Sequence, residues 1–532
     1  MIHTIRSTQG MAVAPHALAS QSAIAVLRDG GNAIEAMIAA AATISVAYPH
    51  MNGIGGDAFW LVVPPQGVPI AIDGAGTAGS KATIDFYKNA GYERIPTRGP
   101  LSMNTVAGAI GSWDAALAVS QQHGGRLGLP RLLRDAVHYA GSGIAVTASQ
   151  VASTSAKLAE LTPQPGFAER FLPGGEVPQV GSVFRQPTLA RFMERLAVNG
   201  LDSFYRGALA DEIAADFQTV GSLLTLEDLR GFRARVCAPL QLELEEGAVF
   251  NMVPPTQGVL SLAILGMLER KGLRSIKPDS ADHIHLCVEA TKQAFTQLRD
   301  KYLTDPAYMP MAPETLIESS RLDALAAEIH LPKALPWGSV STTGDTIWMG
   351  VIDCEGWAVS FIQSIYHEFG SGVVLPKTGL NWQNRGTSFS LDPSHLQALQ
   401  AFKKPFHTLN PAAARLKDGR TMVYGTMGGD GQPQTQAAVF SRAVWFNQPL
   451  QQAVSAPRWL LGRTWGQSSD TLKLESRIPA NIVADLQQRG HDIEMLADYD
   501  EVAGHAGAII RHANGVLEGA ADPRSDGGVA AY

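Results

Sequence analysis

GDTIWMGVIDCEGWAVSFIQS, residues 344–364, is the stretch on which the reading of this chain turns. The apolar run from Ile347 to Ile352 predicts a buried strand. It opens on a hydroxyl residue, Thr346, directly after a Gly344-Asp345 turn. Taking 346–353 and 357–364 as strands leaves Cys354-Glu355-Gly356 as the connection, with glycine last. That composition suits a type I turn followed by a left-handed residue. With Asp353 opposite Trp357, Thr346 falls opposite Ser364. A two-residue loop would shift the register and put Gln363 there instead.

A threonine hydroxyl is a poor nucleophile until something removes its proton. Cutting the chain between Asp345 and Thr346 would free an α-amine beside Oγ. Such an amine has a pKa of about 8, close enough to working pH to serve as general base. Ser364 would then orient Oγ. The stretch GTMGGDGQPQ, 425–434, supplies Gly428-Gly429, whose backbone can approach closely and aim N–H groups at a developing oxyanion. On spacing alone the plainer readings are commoner: a strand-start threonine is structural, and a Gly-Gly pair is a turn.

The rest of the chain bounds the class. Its 532 residues are 45% hydrophobic, enough for a large core. A net charge of −7 argues against a general nucleic-acid binder. Cys237, Cys287 and Cys354 are too few for a disulfide framework or a zinc site. The first residues carry no apolar signal region, and the stretch Ala36 to Tyr48 is too short to span a bilayer. The expectation is a cytoplasmic protein with no membrane partner.

Asn32 followed by Glu35 reads as a capping box, opening a helix apolar on all sides that ends before Pro49. NGIGGDAFWLVV then reads as a tight glycine bend into a strand, in preference to a phosphate cradle. Residues 100–235 look mainly helical, 280–303 form one helix, and 307–345 read as a loop. His283 and His285 stand two apart and face different sides, which argues against a metal pair; no cofactor is expected. The strands lack alternation, which suggests sheets covered by helices on both sides in one large α/β unit.

The motifs together, and their order, resemble the gamma-glutamyltransferase family of N-terminal-nucleophile hydrolases. They are MAVAPHALASQSAIAVLRDGGNAIEAMIAAAA, PHMNGIGGDAFWLV, NTVAG, LTLEDLRGF, RDKYLTDP, the opening stretch, FGSGVV, TMGGDGQPQ and GAADPRSDGGVAAY. The resemblance implies a four-layer αββα sandwich. It implies self-cleavage between Asp345 and Thr346, giving chains 1–345 and 346–532 in one intertwined unit. It makes Thr346 the nucleophile, Ser364 its supporting hydroxyl, and Gly428 and Gly429 the oxyanion donors.

Departures from the family point to the substrate. Gamma-glutamyl enzymes hold the α-carboxylate with an arginine; DGAGTAGSKAT, 73–83, has Ala75 in its place. The residues that grip the α-ammonium are replaced by Tyr366 and Ser388, and a serine pair by His407-Thr408. The loop between Ser388 and Pro405 is short. An amino-acid α-centre would lose both its charge partners, at several kcal/mol. WQNRGTSFS, 382–390, brings Arg385 instead, whose fork fits a carboxylate bidentately. A small carboxylated amide is implied, its amide against Thr346 and its carboxylate against Arg385, with Tyr366 and His407 nearby. IYHEFGSGVVLPKTG, KPFHTLNPAAARL and RWLLGRTWGQSSD resemble a branch that hydrolyses oxamate to oxalate and ammonia in purine (allantoin) catabolism. Two alternatives stay open: a gamma-glutamyl hydrolase, transferase or acylase, and an uncleaved, non-catalytic binding protein. A higher oligomer is compatible with the sequence.

Overall fold

The computed structural model describes residues 3–338, 344–463 and 469–532, and only the backbone of Asp345. Part of the RWLLGRTWGQSSD segment, 464–468, therefore lies outside the described residues, as does the Asp345 side chain.

Two seven-stranded sheets lie face to face. One runs, in spatial order, Gly528–Ala531, Met11–Ala14, Asp345–Ile352, Ala358–Tyr366, Asp57–Val63, Ile70–Gly74, Arg235–Cys237. The other runs Ile5–Ser7, Leu517–Ala521, Ala506–Arg511, Thr421–Thr426, Ala412–Leu416, Gly247–Asn251, Leu240–Leu244. Every neighbouring pair in both is antiparallel. Met11, Phe59, Phe250, Trp348, Val423 and Ile509 form the layer between them. Helices Ala17–Arg28, Ala33–Ala47 and Ala109–Gln122 cover the first sheet; Gly258–Arg270 and Gly431–Phe440 cover the second. The layers are thus αββα. Each sheet has helices on one face only. Its strands lack alternation because the second sheet seals the other face.

The buried helix is built as its sequence indicates. Asn32 Oδ1 accepts from Glu35 N–H at 3.0 Å, and Glu35 Oε2 accepts from Asn32 N–H at 3.0 Å. All residues of Ala33–Ala47 are buried, so its lack of a polar face is what its position requires.

The decisive hairpin pairs Ile347 with Gln363 and continues in register to Ile352 with Ala358. Gly356 closes the turn at φ +93°, and Asp353 Oδ1 accepts from Gly356 and Trp357 N–H, each at 3.0 Å. Asp353 Oδ2 accepts from Ala33 N–H at 2.9 Å, tying the turn to the buried helix. At the other end the register slips, and Asp345 pairs with Tyr366. Thr346 therefore sits at an irregularity and not squarely opposite Ser364, whose cross-strand partner on its other side is Asp57.

Trp348 fixes the second sheet against this hairpin. A Cβ on Gly425 would lie 2.2 Å from its ring, and one on Gly507 2.5 Å. Glycine at both positions lets the indole cross between the sheets.

Two expectations need correction. Residues 307–345 are not all loop: Ser319–Ala327 is a helix, after a 3₁₀ turn at Pro313–Ile317. Leu316, Ile317, Leu322 and Ala326 bury themselves against the Gly258–Arg270 helix, and that packing outweighs the proline punctuation. The 280–303 helix is also not uniform. Ala281–Gln293 is α-helical, and Ala294–Arg299 widens to a π-helix. Among the described residues, no helix is long and apolar enough to cross a membrane.

Candidate active site

The glycine bend before Asp57 does steric work. A Cβ on Gly55 would lie 2.3 Å from Asn381 O, and one on Gly56 2.1 Å from Ser364 O. Only glycine lets the strand begin against the end of the hairpin. The bend delivers Asp57 into the site, a residue that sequence reasoning missed. Its signal was a carboxylate at the head of an all-apolar strand, which can be buried only with partners.

Thr346 is fully buried where the register slips. Ser364 Oγ accepts from Tyr366 N–H at 2.7 Å. Tyr366 has φ +81°, a left-handed conformation that costs a bulky residue roughly 1–3 kcal/mol. It turns the phenol beneath Arg385, whose Cζ stands 3.9 Å from the ring centroid. A Cβ on Gly344 would lie 3.1 Å from the Tyr366 ring and 3.5 Å from Thr408 Oγ1. Tyr366 and Thr408 therefore flank the chain just before Thr346.

Arg385 begins a 3₁₀ turn, Arg385–Ser388, and is 1% exposed. Its Nη2 donates to Ser364 Oγ at 3.5 Å, while Nε and Nη1 have no partner among the described residues. Burial pushes the guanidinium down to about 10, partly offset by Tyr366 and Asp57, so it stays charged at neutral pH. Ser388 ends the same turn with a buried Oγ that has no partner among the described residues. Gly386, between them, leaves room for Asn104: a Cβ there would meet its Oδ1 at 1.5 Å.

His407 is fully buried, edge-on to Phe59 at 4.9 Å. Its Nε2 lies 3.2 Å from Asp57 Oδ2, a short but poorly aimed contact. Burial first, then the Arg385 charge, hold the imidazole down to about 4, against the pull of Asp57; the ring is neutral at pH 7. Asp57 Oδ1 accepts from Gly76 N–H at 3.1 Å, Gly108 N–H at 2.9 Å and Gln383 Nε2 at 3.0 Å.

Gly428 and Gly429 follow strand Thr421–Thr426 with φ of +115° and +52°. Their carbonyls accept from Gly431 and Gln432 N–H at 2.7 and 3.2 Å, which opens helix Gly431–Phe440. Their own N–H groups have no acceptor among the described residues. Asp430 is held by Arg299 Nη1 at 2.6 Å, both buried. This pair joins the RDKYLTDP and GGDGQPQ motifs and holds the glycine turn in place. Gln257 Nε2 donates to Thr408 O at 2.8 Å and to Gly429 O at 2.9 Å, linking the two loops of the site.

Sequence reasoning considered His283 with His285, and the structure pairs neither with the other. His283 meets Ser441 Oγ at 3.0 Å. His285 joins Glu289 and His491, their ligand atoms within 4.8 Å of one another. That cluster is already engaged. His285 Nδ1 and His491 Nε2 share a hydrogen bond of 2.8 Å, and the Lys292 ammonium lies 2.8 Å from Glu289. A cation would have to displace both. A cavity of about 280 Å³ lined by Arg170, Arg185, Gln186 and Gly379 touches none of the site residues. Chemistry, not volume, marks the site.

The chain is similar to known proteins over its full length. The chain is 59% identical over 527 residues, 99% of each chain, to an oxamate amidohydrolase proenzyme of Klebsiella pneumoniae. It is 40% identical to a glutathione hydrolase-like proenzyme of Bacillus subtilis, again over 99% of each. A crystal structure of cephalosporin acylase from Bacillus halodurans superposes with a TM-score of 0.90 at 34% identity, covering 100% of this chain and 97% of that one. The model of the Gamma-glutamyltranspeptidase family matches residues 19–532. On fold, motif order and full-length similarity alike, the chain belongs to the gamma-glutamyltranspeptidase family.

Proposed function

We propose that this chain is a self-processing amidohydrolase of small carboxylated amides, with oxamate as its substrate. The observation that carries the substrate class is Arg385: a buried guanidinium beside Ser364 with two nitrogens unpartnered among the described residues. A buried cation is costly until an anion meets it. An acid with its amide one bond away suits a cation that stands 3.5 Å from Ser364 Oγ, at the end of the hairpin where Thr346 lies. The similarity to the Klebsiella oxamate amidohydrolase supports the same substrate. A gamma-glutamyl substrate would also bring an α-ammonium, to which Tyr366 and Ser388 offer no negative charge.

The scheme begins with cleavage of the Asp345–Thr346 bond, leaving chains 1–345 and 346–532 folded together. The relatives named as proenzymes support that step. The freed Thr346 amine takes the Oγ proton, and Oγ attacks the amide carbon. Gly428 and Gly429 N–H groups hold the oxyanion. The ammonium returns its proton to the nitrogen as the C–N bond breaks and ammonia leaves. Water, deprotonated by the same amine, then hydrolyses the acyl ester and releases oxalate. We place the reaction in purine (allantoin) catabolism, as the sequence resemblance implies. Incubating the protein with oxamate and with glutathione tests the reading. Ammonia and oxalate from oxamate are expected. Glutamate from glutathione, with oxamate untouched, would overturn it.

A further inference from the structure

The buried pair of Asp57 and His407 is not used by the scheme above, and neither residue has its hydrogen bonds filled. Asp57 Oδ1 is occupied by three donors from three chain segments, at Gly76, Gly108 and Gln383. The carboxylate is therefore fixed in direction, with Oδ2 turned to His407 Nε2 at 3.2 Å. Two acceptors at that distance would repel, so the imidazole proton belongs on Nε2. Contacts of this kind are often loosely aimed before substrate arrives and tighten in the complex. The consequence falls on the other nitrogen. His407 Nδ1 carries a lone pair, is buried, and has no donor among the described residues. An unmet buried acceptor is unfavourable until a donor reaches it.

We propose that Asp57 and His407 form a dyad that reads the leaving nitrogen of the substrate: Asp57 locks the tautomer, and His407 Nδ1 accepts an amide N–H. This rests on the carboxylated-amide reading above and adds the specificity for an amide over an ester. His407 is the group that touches substrate; Asp57 is a positioning residue that acts through it. No proton moves to the imidazole. The nitrogen takes its third proton from the Thr346 ammonium when the C–N bond breaks, while one N–H it already carries stays hydrogen-bonded to His407 Nδ1. The location agrees with this role. Asp57 is the cross-strand neighbour of Ser364, and His407 precedes Thr408, which lies beside Gly344, two residues before Thr346.

The test compares kcat/KM on oxamate with that on monomethyl oxalate, an ester of similar size that has no N–H. His407→Phe is expected to lose about 10- to 100-fold on oxamate and at most threefold on the ester. Asp57→Asn, which presents a donor to Nε2 and so moves the proton to Nδ1, should show the same split. His407→Asn places an amide oxygen near the position of Nδ1 and should recover most of the oxamate activity. Appearance of two chains on a denaturing gel reports that each variant folds and processes. Equal losses on amide and ester, or no loss on oxamate, would overturn the dyad alone. If all three variants stay uncleaved, the pair serves processing, and the proposal is wrong. A wild-type enzyme inert toward oxamate would overturn both this proposal and the function it rests on.

Discussion

Replacing Arg385 by alanine separates substrate recognition from folding. Among the described residues Nε and Nη1 of the guanidinium have no partner, and either one completes a carboxylate fork with Nη2, whose bond to Ser364 Oγ is a long 3.5 Å. Charge-assisted hydrogen bonds are each worth roughly 1.5–3 kcal/mol. Two to a substrate carboxylate therefore contribute about 3–6 kcal/mol, or about 10²- to 10⁴-fold in kcat/KM. Folding should change little. The lost cation–π contact with Tyr366 is worth about 2 kcal/mol, but the same change removes a buried, unpaired charge. The assay measures ammonia release from oxamate and from oxamide, its neutral diamide counterpart. Wild type should prefer the acid. Arg385→Ala should lose that preference, keep its activity on oxamide, and still appear as two chains. Arg385→Lys should fall between, since a point charge cannot supply the fork. Oxamate kinetics within threefold of wild type, or equal losses on acid and diamide, would refute the reasoning.

Three further outcomes follow from the geometry. Thr346→Ala should run as one band of 56.6 kDa and release no ammonia; two chains in that variant would sink the processing scheme. Gly428→Ala forces a side chain into φ +115° and should lower kcat by about 10²–10³-fold by misdirecting an oxyanion donor; a rate near wild type would remove Gly428 from that role. Acid should destabilise the fold through its buried histidines. His407 is held down to about 4, and His16, His50, His283, His367, His491 and His505 are lowered mainly by burial as well. Unfolded imidazoles, near 6.5, bind protons that the folded ones refuse. Stability is thus full above pH 6.5 and falls as pH drops toward 4. His407 alone accounts for about 3 kcal/mol across that window. A Tm that stays flat from pH 7 to 4.5 would contradict this.

Much of the site's framework was legible because near-neighbour sterics decide it. The apolar run after Thr346, the glycine closing the turn at 356 and the Asn32–Glu35 cap depend on residues a few positions apart. The hairpin register followed from loop length alone, up to Ile347 and Gln363. It failed at Thr346, where the register slips and Asp345 pairs with Tyr366, whose backbone is left-handed. The helix Ser319–Ala327 was missed as well. Its proline-bounded sequence signals a loop, and its four apolar contacts lie on a helix some fifty residues away.

The sequence by itself determined the motif order, through which the family resemblance implied the layers, and it named the hydroxyl and the cation that the proposed chemistry needs. Those properties reside in side-chain type and local spacing. What only the tertiary structure decided is which buried group meets which. Asp57 and His407 stand 350 positions apart, and no periodicity relates them. The glycine bend at 55–56 and the close approach of the Pro255–Gln257 turn to His407 bring them to 3.2 Å. Long-range contact of this kind is set by how whole layers pack, so it becomes visible only once the sheets are stacked.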